Sequence, residues 1–201
     1  MPSRSFAAQY AESIFGDVDV DELVGAMPAD YRLKGMFFQD QVQAMGSEAF
    51  ATLQPTLDAP PRFGRYLPFV DYPLRDFLRL LTPAADKRYP TLNRRQAFRK
   101  LGRAGFESFR LTTVGKVIVA ALTDPLTAIR KMPNAYALVT SPTAVSISVL
   151  GPRSARVRLE PYYALPEYDL GVVESIIAYF DAVPTTRLSV EAEALVIESE
   201  W

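Results

Sequence analysis

Histidine and cysteine are both missing from this chain. Without histidine there is no Ser-His-Asp triad, no imidazole base, and no imidazole ligand for zinc or haem. Without cysteine there are no disulfides, no thiol redox chemistry and no thiolate nucleophile. The lack of cysteine fits a reducing compartment, and a cytoplasmic location is expected. Chemistry near neutral pH would fall to a shifted carboxylate, lysine or tyrosine, or to an oxygen-ligated metal. A non-enzymatic role gains weight from this, with an enzyme as the alternative. Long apolar runs are missing too. None approaches the ~18 residues of a membrane span, and residues 1–16 lack the continuous apolar stretch of a secretory leader. The net charge is only −1. That is not the strongly basic signature of a nucleic-acid binder, and no nucleic-acid motif is present.

What the chain does contain is ordinary globular material. Its 201 residues are 49% hydrophobic and 22% charged, enough for one substantial core and a single domain spanning residues 1–201. The 16 prolines mark many loop boundaries. The most irregular region, Pro55 to Pro73, reads as a long crossing loop and not a domain linker, because Phe63, Tyr66, Leu67, Phe69 and Tyr72 need somewhere to pack.

The first two thirds read as helical. A short acidic helix is expected over Asp21–Met27, and a second over Gly35–Met45, preceded by a strand at Tyr31–Leu33. A third starts at Pro73, where Leu74, Phe77, Leu78 and Leu81 fall on one face; Pro83 is expected to end or kink it. The longest helix is capped by Thr91 or Asn93, with Gln96 in capping-box spacing from Asn93. It carries Phe98, Leu101, Gly102, Gly105 and Phe109 on one stripe. Val114–Leu122 continues it, with a break at Gly115, and a short helix follows Asp124-Pro125.

After Met132-Pro133-Asn134 the period changes. Tyr136–Thr140 is expected to add a strand. Val145, Ile147 and Val149 then alternate with serines, and after the Gly151-Pro152-Arg153 turn Ala155, Val157 and Leu159 alternate with charges. A helix over about Leu170–Ala182 and two strands over Thr186–Trp201 complete an α+β layout. In it a helical N-terminal layer packs on a four- to five-stranded antiparallel sheet with one inserted helix.

These residues resemble a family. Arg65 to Pro73 (RYLPFVDYP), Leu101 to Phe109 (LGRAGFESF) with Thr113-Val114-Gly115-Lys116, Met132 to Tyr136 (MPNAY) and the closing Glu200-Trp201 are similar to a myxobacterial paralogous family of unknown function. The order of elements is also similar to a wider fold group: haem–nitric-oxide-binding domains, four-vinyl-reductase domains and trafficking-particle subunits. That resemblance implies an antiparallel sheet against a helical layer, with an apolar ligand often held between them. The chain departs from the haem branch, because no histidine is available as a proximal ligand.

Several residues are candidates for function. Each mid-helix glycine costs ~1 kcal/mol against alanine, so Gly102 and Gly105 admit either another backbone or a ligand. With Phe98, Leu101, Phe109 and Tyr72 they form the candidate apolar ligand site, where a cavity of roughly 300 Å³ or more is expected if a ligand is the reason; core packing is the competing explanation. Arg95, Arg99 and Arg103 make a basic stripe that suits a phosphate, an acidic partner or the acidic N-terminal segment. Residues 1–60 hold three basic and nine acidic side chains. Residues 86–116 hold nine basic and two acidic. A homodimer or hetero-complex through the helical layer is therefore expected. Asp71, Asp76 and Glu107 read as structural carboxylates more than catalytic ones. Tyr162 and Tyr163 stand where they would rim a pocket. Asp17, Asp19 and Asp21, like Glu193 and Glu198, do not make a calcium loop, and no metal or other cofactor is expected.

Overall fold

A computed structural model describes residues 19–191 and 193–201, with Phe63 described by its backbone alone. Residues 1–18, including Asp17 and the segment read for a leader, lie outside the described residues.

The described chain begins with α1 (Val20–Ala26), capped by the Asp19 carboxylate on the N–H groups of Asp21 and Glu22. Strand β1 (Arg32–Lys34) leads into α2 (Gly35–Met45), then α3 (Ser47–Leu53), a short helix absent from the sequence reading. Two 3₁₀ turns follow within the crossing loop. Tyr66 and Tyr72 are buried and pack on Phe38, while Leu67, Phe69 and Val70 stay exposed. Carbonyls of this loop cap the next N-terminus: Gly35 N–H donates to Val70 O at 2.9 Å and Met36 N–H to Pro68 O at 3.1 Å. Satisfying those orphan donors pins the loop to the start of α2.

Strand β2 (Asp71–Pro73) pairs antiparallel with β1 and feeds α4 (Leu74–Arg88). Pro83 does not end α4, because buried Ala84 and Ala85 hold its last turn in the core. Helix α5 (Arg94–Leu111) starts at Asn93, whose side chain accepts from Gln96 N–H. The break after it falls at Thr112 and not at Gly115. The Thr112 hydroxyl accepts from Gly115 N–H and so caps α6 (Thr113–Ala120). Helix α7 (Pro125–Val139) corrects the strand expected at Tyr136–Thr140. Asp124 caps it through Thr127, Ile129 and Met132 bury its face, and the helix continues through Pro133. Only Thr140–Ser141 is strand, β3, which pairs with β1. The helical layer therefore extends to Val139, past the Met132-Pro133-Asn134 change of period.

The main sheet is antiparallel, in the order β4 (Ala144–Gly151), β5 (Ser154–Glu160), β7 (Ala194–Glu200), β6 (Thr185–Glu191). The inserted helix α8 runs Pro166–Ala178. Strand alternation places Ala155, Val157, Leu159, Leu195 and Ile197 inward, where they join the helices in one hydrophobic core. The outward face carries exposed ion pairs such as Arg156–Glu198 and Arg158–Glu191, each worth little in water. The molecule is an α+β fold: eight helices with a three-stranded ribbon and a four-stranded sheet among the described residues.

Candidate functional site

Helices α5 and α8 cross closely, and glycines permit it. A Cβ at Gly102 would overlap the backbone carbonyl of Tyr168, and one at Gly171 would overlap that of Arg99. Three arginines along the α5 stripe meet α8 carboxylates. Arg95 pairs with Glu167, and Arg99 and Arg103 both grip Glu174, with Thr186 Oγ1 donating to it at 2.8 Å. Burial pushes the Glu174 carboxyl up, but the hydrogen bonds from Arg99, Arg103 and Thr186 outweigh it and hold the group below its ordinary value. The basic stripe of Arg95, Arg99 and Arg103 is thus matched by carboxylates of α8.

Further along α5 the packing opens. A cavity of about 140 Å³ lies among α4, α5, α6, α7 and α8. Phe77, Leu81, Phe106, Val119, Met132, Val172 and Ile176 are among its apolar walls. One polar cluster interrupts them. Tyr136 donates to Asp169 Oδ1 at 2.8 Å, and Tyr162 donates to Oδ2 at 2.5 Å. Burial raises the Asp169 carboxyl above its usual range, and the two phenol donors offset this only in part. Burial, and then the Asp169 charge, raise Tyr136 well above its ordinary value. Tyr168 also lines the cavity; its hydroxyl packs where a Gly105 Cβ would stand.

A second hollow of about 330 Å³ lies between the start of α2, the loop at Pro68–Phe69 and the end of α5. Phe37 and Phe109 border both spaces and stack with ring centroids 6.2 Å apart. Their rings form the partition between them.

The expected site residues divide between two settings. Gly105 and Phe109 line the inner cavity. Phe98 and Leu101 are buried in solid core, Gly102 lies against the α8 backbone, and Tyr72 packs on Tyr66 at 4.7 Å; these four are outside the cavity wall. The cavity is less than half the expected 300 Å³, because Tyr168 fills the space beside Gly105. Tyr162 lines it as well, whereas Tyr163 packs edge-on against Tyr31. Asp76 is fully buried and accepts from the N–H groups of Asp58 and Ala59 and from Arg79. Asp71 pairs with Lys34 and Glu107 with Arg110. Asp169, Tyr168 and Glu174 were not singled out in the sequence. Asp169 falls before the helix expected from about Leu170, whereas α8 starts at Pro166 and is buried nearly all round. No group of carboxylates able to hold a metal occurs among the described residues.

This architecture is that of the H-NOX domains. An H-NOX protein from S. oneidensis in the Fe(II) state superposes with a TM-score of 0.67 at 14% identity, over 84% of this chain and 95% of the other. An unliganded Fe(II) H-NOX mutant from K. algicida gives 0.65 at 14% identity, over 84% and 96%. An oxygen-binding H-NOX domain related to soluble guanylate cyclases gives 0.62 at 13% identity, over 84% and 94%. At such identities the likeness concerns the fold. By sequence, residues 28–198 match the protein family of unknown function DUF2378, and the chain belongs to that family. No curated protein sequence matches it.

The residues of this chain do not fit a haem. Histidine and cysteine are absent. Phenolate ligation would have to come from Tyr136, Tyr162 or Tyr168 at the cavity; burial holds Tyr136 and Tyr168 protonated, and the Tyr162 hydroxyl donates to Asp169. Met132 lines the cavity, but a haem-ligating methionine ordinarily partners a histidine. A hollow of about 140 Å³ also accepts something nearer benzene in size.

Proposed function

We propose that this chain is a non-enzymatic ligand-binding domain that holds a small apolar molecule between its helical layer and the α8 side of the core. The observation that carries this reading is the cavity itself. Natural interiors pack with few voids larger than a water molecule, whereas this one is apolar and bounded by five helices. The hollow beyond Phe37 and Phe109 supplies an approach from solvent. A protein partner or a second copy of the chain remains part of this reading as what would sense the filled state. Benzene is a suitable probe of the size of the space. It should raise the melting temperature of the purified chain, and Ala135→Phe, placed on the cavity wall, should abolish that rise while the chain stays folded. If benzene leaves the wild-type melting temperature unchanged and native mass spectrometry shows no co-purified small molecule, the reading fails.

Asp169 favours a second reading, an enzyme using carboxylate or tyrosine chemistry on an apolar substrate. A buried carboxyl with a raised pKa in a cavity is a reasonable acid or base. Against it, each carboxylate oxygen already accepts a phenol proton, which suits an anchor between α7 and α8. Asp169→Asn that keeps benzene binding would leave the binding domain standing and remove the acid–base role.

A further inference from the structure

The two end strands of the four-stranded sheet are built differently. Strand β6 carries Arg187 and Glu191, both exposed, the kind of charge that keeps an edge strand in water. Strand β4 lies at the other end, and among the described residues no strand pairs with its outer side. It is eight residues long and holds neither a charge nor a proline. Every second residue of such an edge turns its N–H and C=O away from the sheet, a template for another strand. Ala144, Ser146, Ser148, Val149 and Leu150 are exposed. Val145 and Ile147 face the core side, opposite Leu159 and Val157, yet are only half-buried at the sheet's end. The middle of the strand also reads the same in both directions: Val145-Ser146-Ile147-Ser148-Val149. In an antiparallel pair with a two-fold axis through Ile147, perpendicular to the sheet, valine meets valine, serine meets serine and isoleucine meets isoleucine. Alternation keeps the β-branched row on one face and the hydroxyls on the other, and cross-strand pairs are the units that stabilise a sheet.

We infer that the outer edge of β4 is a homodimer interface, where a second copy of the chain adds its own β4 antiparallel about Ile147 and the two four-stranded sheets become one. No charge is buried or opposed along the seam. The contact is isologous and closes on itself, because each copy uses its uncharged edge and leaves the charged β6 at both outer ends. Exposed Leu150, and exposed Leu138 on the helix α7 that packs against β4, offer further apolar area. A seam of one strand is at the small end of specific interfaces, so the dimer should be reversible and concentration-dependent.

The experiment is sedimentation velocity of the full chain over a range of concentrations, on wild type and on two double variants, Ser146→Lys/Ser148→Lys and Ser146→Glu/Ser148→Glu. Both serines are exposed, and in the register above each position 146 meets a position 148, so either variant opposes like charges across the seam. The expected result is a wild-type dimer, loss of the dimer in each variant alone, and its return when the two variants are mixed. Circular dichroism checks that the variants fold. Where one does not, hydrogen exchange on wild type at low and high concentration decides, because the β4 amides should gain protection as the dimer forms. A wild type that stays monomeric at every concentration overturns the inference and leaves the edge to a strand of another protein. A dimer that both folded variants retain overturns it and moves the contact elsewhere on the surface. A loss that mixing does not restore, or β4 amides indifferent to concentration, also overturns it.

Discussion

The first half of α5 and its second half meet the rest of the protein on different terms. At Phe98, Leu101 and Gly102 the helix lies flush on α8, sealed by arginine–carboxylate pairs at the rim. At Gly105, Phe106 and Phe109 it borders an apolar hollow instead. The two glycines sit on one stripe and look equivalent by spacing, yet one faces a backbone carbonyl and the other the tip of a side chain. A glycine on a buried helix face therefore says only that something comes close. What comes close is decided by the other helix.

The largest expected contrast is between the two phenylalanines. Phe98 is fully enclosed, and Phe98→Ala should cost about 4 kcal/mol through lost burial and a cavity that cannot collapse. Phe109 is half-buried between two existing hollows, so Phe109→Ala should cost about 1 kcal/mol. It should also open the partition and speed ligand exchange. Urea unfolding of both variants checks the order; equal costs would show that the second half of α5 is as tightly packed as the first.

Next come the glycines. At Gly102→Ala the obstacle is the Tyr168 carbonyl, so the two helices must separate, at about 2 kcal/mol net. At Gly105→Ala only the Tyr168 hydroxyl must swing aside. The gain of ~1 kcal/mol from helix propensity offsets much of that, and stability should stay within about 0.5 kcal/mol of wild type. A large loss at Gly105 would mean that the Tyr168 ring has no alternative position.

Much of the fold is legible in the sequence, because its periods are long and clean. Gly35–Met45, the Asn93 cap, the Val145–Leu159 hairpin and the closing pair of strands all follow from spacing and turn residues. The errors fall where a local breaker is overruled by tertiary burial. Pro83, which reads as an end or a kink, and Pro133, after which the period reads as changing, are each held inside a helix by buried neighbours, Ala84–Ala85 and Met132. The site is half legible. The stripe of α5 identifies one wall, but the opposite wall is α8. There Asp169 and Glu174 are buried against hydrogen-bond partners 33 and 75 residues away in sequence. No spacing rule reaches that far.

Those two carboxylates carry the comparison into pH, with the smallest expected effect. Both are buried on α8, five residues apart, but Glu174 meets arginines and Asp169 meets phenols. The Glu174 pKa is lowered in the fold, so its contribution is complete above its ordinary value of 4.5 and fades as pH falls through the depressed folded value. The Asp169 pKa is raised above 3.8, so its contribution is complete below that value and is lost as pH rises through the elevated folded one. Glu174→Gln should therefore cost most near pH 7, about 2 kcal/mol. That is a modest figure for a buried charge, because Arg99 and Arg103 are 42% and 48% exposed and turn to water once released. The cost should shrink below pH 4. Asp169→Asn should do the reverse: about 1 kcal/mol in acid, where the neutral carboxyl it replaces is well satisfied, and less as pH rises through the elevated folded value, where wild type comes to bear a buried charge. Chemical denaturation of the two variants and wild type at pH 3.5, 5 and 7 gives the slopes directly. Parallel slopes would show that the two carboxylates share one environment, and the distinction between an ion-paired and a phenol-bonded carboxylate on α8 would be wrong.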